Sequence, residues 1–301
     1  MRIKVATISM ALEYRRVSKV EDNLKYIAAL MEEIKDIKPD IVALPEVFPY
    51  SGVPLKARDI EDTEEAKAFL SELAKKHRVY MGGSTYDRRE GKMFNTCFLF
   101  NREGEIVGKY DKIHPTEPEI DYGVCPGAEE QEPIETEFGK IGFQICFDAN
   151  WHLYWKKLAD KGAKLIIFSS AYPAGTILNS IALLNNIYIV ASTWELKSGI
   201  IDKMGRWLVK TDRFFYWVWR DIELDVGVFH WDFQENKPKE IKRKYGDKIR
   251  IETFGDEALF TIEPLSDEIK LEDLIKEFSL VPYKDYLLRA EKKQMENRAS
   301  L

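Results

Sequence analysis

The sequence predicts an α/β fold of stacked helical and sheet layers. Strand-length apolar runs alternate with amphipathic helical segments along most of the chain. The composition also supplies a large core: of 301 residues, 45% are hydrophobic and 32% charged. That length suits one large α/β domain or two small ones.

Taken in order, "RIKVATISM" reads as a strand. "SKVEDNLKYIAALMEEIKDI" follows as an amphipathic helix with Val20, Leu24, Ile27, Met31 and Ile34 on one face. Ser18 and Glu21 are spaced as a capping box. "PDIVALPE" is a short buried strand ending at Pro45-Glu46. "DTEEAKAFLSELAKKHR" is a second helix, with Asp62 and Glu65 as a cap pair. "VYMGGSTYD" is a strand, and "MFNTCFLFNREGEIVGKYDK" reads as two strands about the Glu103-Gly104 turn. "GKIGFQICF" supplies another strand. A helix of about ten residues around Leu153–Lys161 leads to the strand "KLIIFSS". "TILNSIALLNN" is helical and "IYIVAST" extended. "SGIIDKMGRWLVKT" forms paired strands around Gly205, and "FFYWVWRDIEL" closes the core. The reading divides the chain into a core at 1–230 and a C-terminal extension at 231–301. That extension is expected to pack on the core or on a partner subunit. It opens with the charged "QENKPKEIKRKYGDKIR" and closes with two helical segments.

A net charge of −6 argues against general nucleic-acid binding. No apolar run reaches membrane-span length. The start, "MRIKVATISMALEYRR", brings charges too early for a leader, so a cytoplasmic chain is expected. Cys97, Cys125 and Cys146 form neither a close metal pair nor a disulfide framework. With four histidines, no metal-ligand cluster is visible. "VYMGGST" lacks the lysine and spacing of a phosphate loop. The expectation is a chain with no cofactor and no metal.

Three side chains stand out because each directly follows an apolar strand: Glu46, Lys112 and Cys146. Singly, each has a bland reading as a solvated carboxylate, a surface lysine or a buried thiol. Strand ends in α/β folds are common site positions. A carboxylate can take a thiol's proton, and an ammonium can stabilise an oxyanion. Together the three make an acyl-transfer set without histidine or metal.

The ordered blocks "ALPEVFPYSGV", "GKYDKIHP" and "GFQICFDANW" resemble the nitrilase superfamily, the carbon–nitrogen hydrolases. "MGGSTYD", "FNTCFLFN", "KGAKLIIFSSAYP" and "NNIYIVAST" support the resemblance, which covers roughly residues 3 to 225. It implies a four-layer αββα sandwich, commonly paired across the α layer into homodimers or larger assemblies. It implies Glu46 as general base, Lys112 as transition-state stabiliser and Cys146 as nucleophile, with the Phe147 backbone N–H as a second oxyanion donor. A second glutamate is implied downstream of the lysine. Glu119 is favoured over Glu117 by its distance before Pro126-Gly127.

"Cys-Phe-Asp" resembles the Cys-aromatic-Asp of amidases and N-carbamoyl amide hydrolases, whereas nitrilases more often carry Cys-Trp-Glu. The resemblance thus implies cleavage of a linear amide or N-carbamoyl compound through a Cys thioester, with ammonia released. A nitrile substrate, acyl transfer to an amine and a non-enzymatic scaffold are the alternatives. The segment "AGTILNSIALLNN" lacks the arginine common among relatives and has Asn185 in place of glutamate. Carboxylate-binding arginines of carbamoyl-amino-acid hydrolases are therefore not carried over. Tyr172, Trp194 and Glu195 are the candidates for shaping the pocket. His114 is read as a hydrogen-bonding loop residue, Asn95 as a residue that fixes the sheet near the site, and Asp148 as a helix-start residue.

Overall fold

The computed structural model of the chain describes residues 1–58 and 63–299. The chain forms two compact units, one spanning Ile3–Ile222 and the other starting at Glu223 and including Met1–Arg2.

The elements alternate as the pattern predicts. The first half holds β1 (Arg2–Ile8), α1 (Val20–Ile34), β2 (Ile41–Ala43), α2 (Glu64–His77), β3 (Tyr80–Arg89), β4 (Lys92–Phe100) and β5 (Ile106–Asp111). A short α3 (Glu117–Asp121) precedes β6 (Ile134–Thr136), β7 (Gly139–Ile145), α4 (His152–Asp160), β8 (Leu165–Ser170), α5 (Thr176–Asn185) and β9 (Tyr188–Thr193). Then come β10 (Gly199–Ile201), β11 (Trp207–Lys210) and β12 (Trp217–Glu223). Two six-stranded sheets result, ordered β12-β1-β2-β3-β4-β5 and β11-β10-β9-β8-β7-β6. The centre of each sheet is parallel, β1-β2-β3 in one and β7-β8-β9 in the other.

Helices cover the outer face of each sheet. Leu24, Ile27, Leu30, Met31 and Ile34 of α1 and Leu70, Leu73 and Ala74 of α2 join one core cluster with β1–β3. Trp155 and Leu158 of α4 and Leu178, Ile181 and Ala182 of α5 join another with β8 and β9. The two sheets pack face to face, giving the four-layer αββα sandwich. Contact is close at Gly82 of β3. A Cβ there would lie 2.9 Å from Phe143 Cζ and 3.0 Å from Ile167 Cδ1. Buried hydroxyls need acceptors, and here they find them across the sandwich. Thr7 Oγ1 donates to the Ala191 carbonyl at 2.9 Å, and Ser169 Oγ to the Leu44 carbonyl at 2.8 Å.

One cap differs from expectation. Helix α1 starts at Val20, so the third helical residue is Asp22 rather than Glu21. Asp22 Oδ2 accepts from Ser18 N, Ser18 Oγ and Lys19 N at 3.0–3.3 Å. Asp62, expected to cap α2, lies outside the described residues.

The second unit holds β13 (Gly227–His230), α6 (Lys237–Tyr245), β14 (Ile249–Phe254), β15 (Leu259–Pro264), α7 (Leu271–Phe278) and α8 (Tyr283–Ala299). Its antiparallel sheet has the order β13-β15-β14. Phe229, Ile241, Ile249, Phe260, Ile262, Leu274 and Leu280 form its own core. The sequence reading finds the terminal helices and misses these strands, because their apolar residues sit inside a heavily charged segment. No described helix is long and apolar enough to cross a membrane.

Candidate active site

Each of the three strand-end residues lies where its strand gives way to a loop. Glu46 follows β2 by three positions, Lys112 follows β5 directly, and Cys146 follows β7 directly. All three side chains are buried, with relative exposures of 4%, 1% and 8%.

Two of these turns carry non-glycine residues at positive φ, a sparsely populated region that the surroundings must hold. Cys146 has φ +48° and Val47 φ +34°. Asp148 holds the first turn. Its Oδ2 accepts from Ile145 N at 3.2 Å and Tyr110 Oη at 3.0 Å, and its Oδ1 accepts from His114 N at 2.8 Å. His114 Nδ1 lies 2.9 Å from that same Oδ1, and the imidazole stacks flat on Trp151 at 3.8 Å. The second turn is tied by Val47 N donating to Ser84 Oγ at 2.7 Å and by the Trp194 indole N–H donating to the Glu46 carbonyl at 2.7 Å.

The charges converge on one ammonium. Lys112 Nζ donates to Glu46 Oε1 and Glu119 Oε2, each at 2.7 Å. Asn95 Nδ2 bridges the same carboxylates at 2.9 and 3.1 Å, and its own Oδ1 accepts from Ser84 Oγ at 2.8 Å. Glu46 Oε2 takes the Ala171 N–H at 3.1 Å. Glu46, Lys112 and the Ala171 amide all act on the Cys146 thiol. Burial, followed by the Glu46 charge, pushes this thiol up against the opposing pull of Lys112. It is therefore protonated at neutral pH. Burial alone would lower Lys112, but the Glu46 and Glu119 carboxylates raise it, so it stays an ammonium. The arrangement offers a buried carboxylate and a buried cation, paired with each other, that both act on the thiol.

Glu119 is held by Thr116, whose N and Oγ1 donate to Oε2 at 2.8 and 2.9 Å. Burial alone would raise its carboxyl, but Lys112 and these hydrogen bonds bring it below the usual carboxylate range. A carboxyl depressed by folding contributes stability above its ordinary value, which is lost as pH falls through the lowered one. Glu119→Gln should therefore cost about 2 kcal/mol at neutral pH. The difference from the unsubstituted chain should vanish in acid, where Glu119 is itself protonated. Urea unfolding measured along a pH series checks both ends.

Of the remaining candidates, Glu117 is exposed and only Glu119 meets Lys112. Phe147 directly follows the sulfur-bearing residue, and its side chain is exposed. Burial, followed by Cys146, pushes the Tyr172 hydroxyl up. Trp194 meets the site through its indole N–H. Glu195 does not join the cluster: its carboxylate pairs with Lys197 at 3.2 Å, and its carbonyl takes Ser9 Oγ and Thr193 Oγ1. Sequence reasoning missed the direct contact of Asn95 with both carboxylates, along with Ser84 and Thr116 behind them. A polar Asn inside the apolar run "FNTCFLF" and the capping-box spacing of Thr116 and Glu119 were the available signals. Among the described residues, no group of His, Cys, Asp and Glu could hold a metal ion.

This fold is that of a carbon–nitrogen hydrolase. The chain belongs to that family, whose model matches residues 4–215, and so to the nitrilase superfamily. It is similar to "Omega-amidase NIT3" of Saccharomyces cerevisiae, with 29% identity over 214 residues, 63% of this chain and 72% of that protein. It is also similar to "Omega-amidase NIT2" of Mus musculus, with 26% identity over 250 residues, 73% of this chain and 90% of that protein. The fold matches the crystal structure of a carbon-nitrogen hydrolase from Helicobacter pylori G27. The TM-score is 0.66 at 24% identity, covering 81% of this chain and 94% of that one.

Proposed function

We propose that the chain hydrolyses a small linear amide through a Cys146 thioester and releases ammonia. The observation that carries this reading is the buried ammonium of Lys112, 2.7 Å from both Glu46 and Glu119, with the Cys146 thiol under the influence of both Glu46 and Lys112. Two relatives carrying the name omega-amidase support an amide over a nitrile. Helix α5 contains no arginine, which favours an amide over a carbamoyl amino acid.

In the proposed cycle, Glu46 takes the proton from Cys146 Sγ as sulfur attacks the carbonyl carbon. The developing oxyanion is met by Lys112 Nζ and the Phe147 backbone N–H. Glu46 returns the proton to the nitrogen, the C–N bond breaks, and ammonia leaves a thioester. Glu46 then takes a proton from water, the hydroxide attacks the thioester, and sulfur leaves to recover its proton. The buried neutral thiol suits this sequence, because the proton it gives up is the one the leaving nitrogen needs.

Intact-protein mass spectrometry with amides, N-carbamoyl compounds and nitriles, run alongside ammonia release, tests the reading. An acyl adduct on Cys146 with stoichiometric ammonia from amides is the expected result. Adducts from nitriles alone, or acyl transfer to an added amine in preference to water, would replace it with the corresponding alternative. We also read the chain as a homodimer, supported by Leu153 of α4 and Ile177 and Leu184 of α5, which are exposed on the helical face. Light scattering should give twice the chain mass, and Leu153→Glu with Leu184→Glu should return it to the monomer value.

A further inference from the structure

Glu46 is closed into a ring of hydrogen bonds that runs through two other side chains. Val47 N donates to Ser84 Oγ at 2.7 Å, Ser84 Oγ donates to Asn95 Oδ1 at 2.8 Å, and Asn95 Nδ2 donates to Glu46 Oε1 at 2.9 Å. The chain of donors starts on the residue after Glu46 and returns to the Glu46 side chain. Strand register makes this possible. In the β3–β4 ladder Ser84 lies opposite Cys97 and Tyr86 opposite Asn95, so Ser84 and Asn95 are diagonal neighbours on one face. Both are buried, at 0% and 1% exposure, so neither can turn to bulk water for a replacement partner.

The direction of each bond follows from what the end members can do. An ionised carboxylate accepts and cannot donate, so the Asn95 amide must turn its NH2 to Glu46 and Glu119 and its oxygen to a donor. The Val47 N–H donates and cannot accept. It takes a lone pair of Ser84 Oγ and leaves the hydroxyl hydrogen for Asn95 Oδ1. Without that hydroxyl the amide oxygen is a buried acceptor stripped of its donor. Turning the amide over would set its oxygen against two carboxylates. The ring also distinguishes the two Glu46 oxygens. Oε1 takes both Lys112 Nζ at 2.7 Å and Asn95 Nδ2, which fills its lone-pair sites. Oε2 takes the Ala171 N–H at 3.1 Å and keeps a site for a proton.

We propose that Ser84 is a positioning residue for the reaction: acting through Asn95, it keeps Glu46 Oε1 saturated, so that the Cys146 proton is received on Oε2. This assignment rests on the amide-hydrolysis reading. As the Sγ–H bond breaks, the Oε2–H bond forms, and the same oxygen returns the proton to the leaving nitrogen. Ser84 touches neither substrate nor sulfur. Its effect passes through the orientation of one amide.

The test is a double-mutant cycle read on kcat at saturating amide. Ser84→Ala should lower kcat about tenfold, the scale of one buried hydrogen bond, and leave KM nearly unchanged. Ser84→Thr, which keeps the hydroxyl, should restore most of the loss. Counting Cys146 acyl adducts in each preparation corrects kcat for misfolded protein. Asn95→Leu removes the amide. Adding Ser84→Ala to it should cost less than about twofold more, because nothing is left to orient. A serine that merely supports the fold would lower the melting temperature and the adduct count in both backgrounds, and would leave the corrected kcat alone. An unchanged corrected kcat in Ser84→Ala overturns the assignment and leaves amide hydrolysis standing. So does a tenfold cost that persists beside Asn95→Leu. If no amide is turned over, the hydrolysis reading fails, and the same cycle read on alkylation of Cys146 by iodoacetamide decides Ser84 separately. Alkylation also needs Glu46 to take the thiol proton. A rate about tenfold lower in Ser84→Ala, regained in Ser84→Thr and absent beside Asn95→Leu, supports the positioning role, and equal rates overturn it.

Discussion

Cys146→Ala abolishes ammonia release, on the order of 10⁶-fold as for other nucleophiles that act as part of a unit, while the melting temperature stays close to that of the unsubstituted chain. The two halves of this expectation come from the same geometry. In the proposed cycle sulfur carries the acyl group, so its loss leaves nothing for Glu46 to activate. The Glu46 carboxylate meanwhile keeps the Lys112 ammonium, the Asn95 amide and the Ala171 N–H. No buried charge loses its counter-charge. The φ of +48° at this position strains alanine much as it strains cysteine. Single-turnover ammonia release and a thermal melt on one sample check both. Residual turnover within 100-fold of the original would mean that another group attacks the amide.

Lys112→Met reverses that balance and should damage both activity and stability. In the proposed cycle Lys112 meets the oxyanion, so removing it should cost about 3 kcal/mol of transition-state stabilisation, or on the order of 10²–10³ in kcat. In the resting protein the loss leaves Glu46 and Glu119 facing each other in a buried site with Asn95 as their shared donor. Stripping one partner from a buried ion pair costs about 3–5 kcal/mol. For a unit of this size each kcal/mol lowers the melting temperature by roughly 2–4 °C, so a drop of about 10 °C is expected. With the cation gone, Glu119 keeps its burial and loses the Lys112 charge that lowered it, so its folded-state value rises. Groups raised by folding favour the fold at low pH and oppose it as pH rises. The stability gap to the unsubstituted chain should therefore narrow in acid. Adding Glu119→Gln to Lys112→Met should recover stability at neutral pH and leave activity lost. Melts of the three proteins along a pH series, with kcat from the same stocks, separate the two effects. If the double variant gains no stability, paired carboxylate burial is not the cause of the destabilisation.

Much of the larger unit was legible in advance. Strands buried on both faces appear as continuous apolar runs, such as "KLIIFSS" for β8, and helix α1 shows its 3.6-residue stripe. The Glu46, Lys112 and Cys146 positions were legible because each interrupts such a run at its end. The cap of α1 was misplaced by one residue, since Ser18 can serve either Glu21 or Asp22 until the first turn is fixed. The strands of the smaller unit were missed because "IRIETF" and "LFTIEP" stand among dense charges, and the third strand, β13, pairs with a segment about thirty residues downstream.

By itself the sequence determined the layered α/β class, the strand ends from which the reacting groups project, and the ordered motifs of a carbon–nitrogen hydrolase. These are local properties, encoded in periodicity and in the residue that follows each run. Tertiary structure decided which of two nearby glutamates meets the lysine. It also brought Asn95 to both carboxylates and turned Glu195 toward Lys197. Those outcomes depend on how far apart charges lie and how much water is excluded between them. Both quantities arise only when segments distant in the chain are packed together.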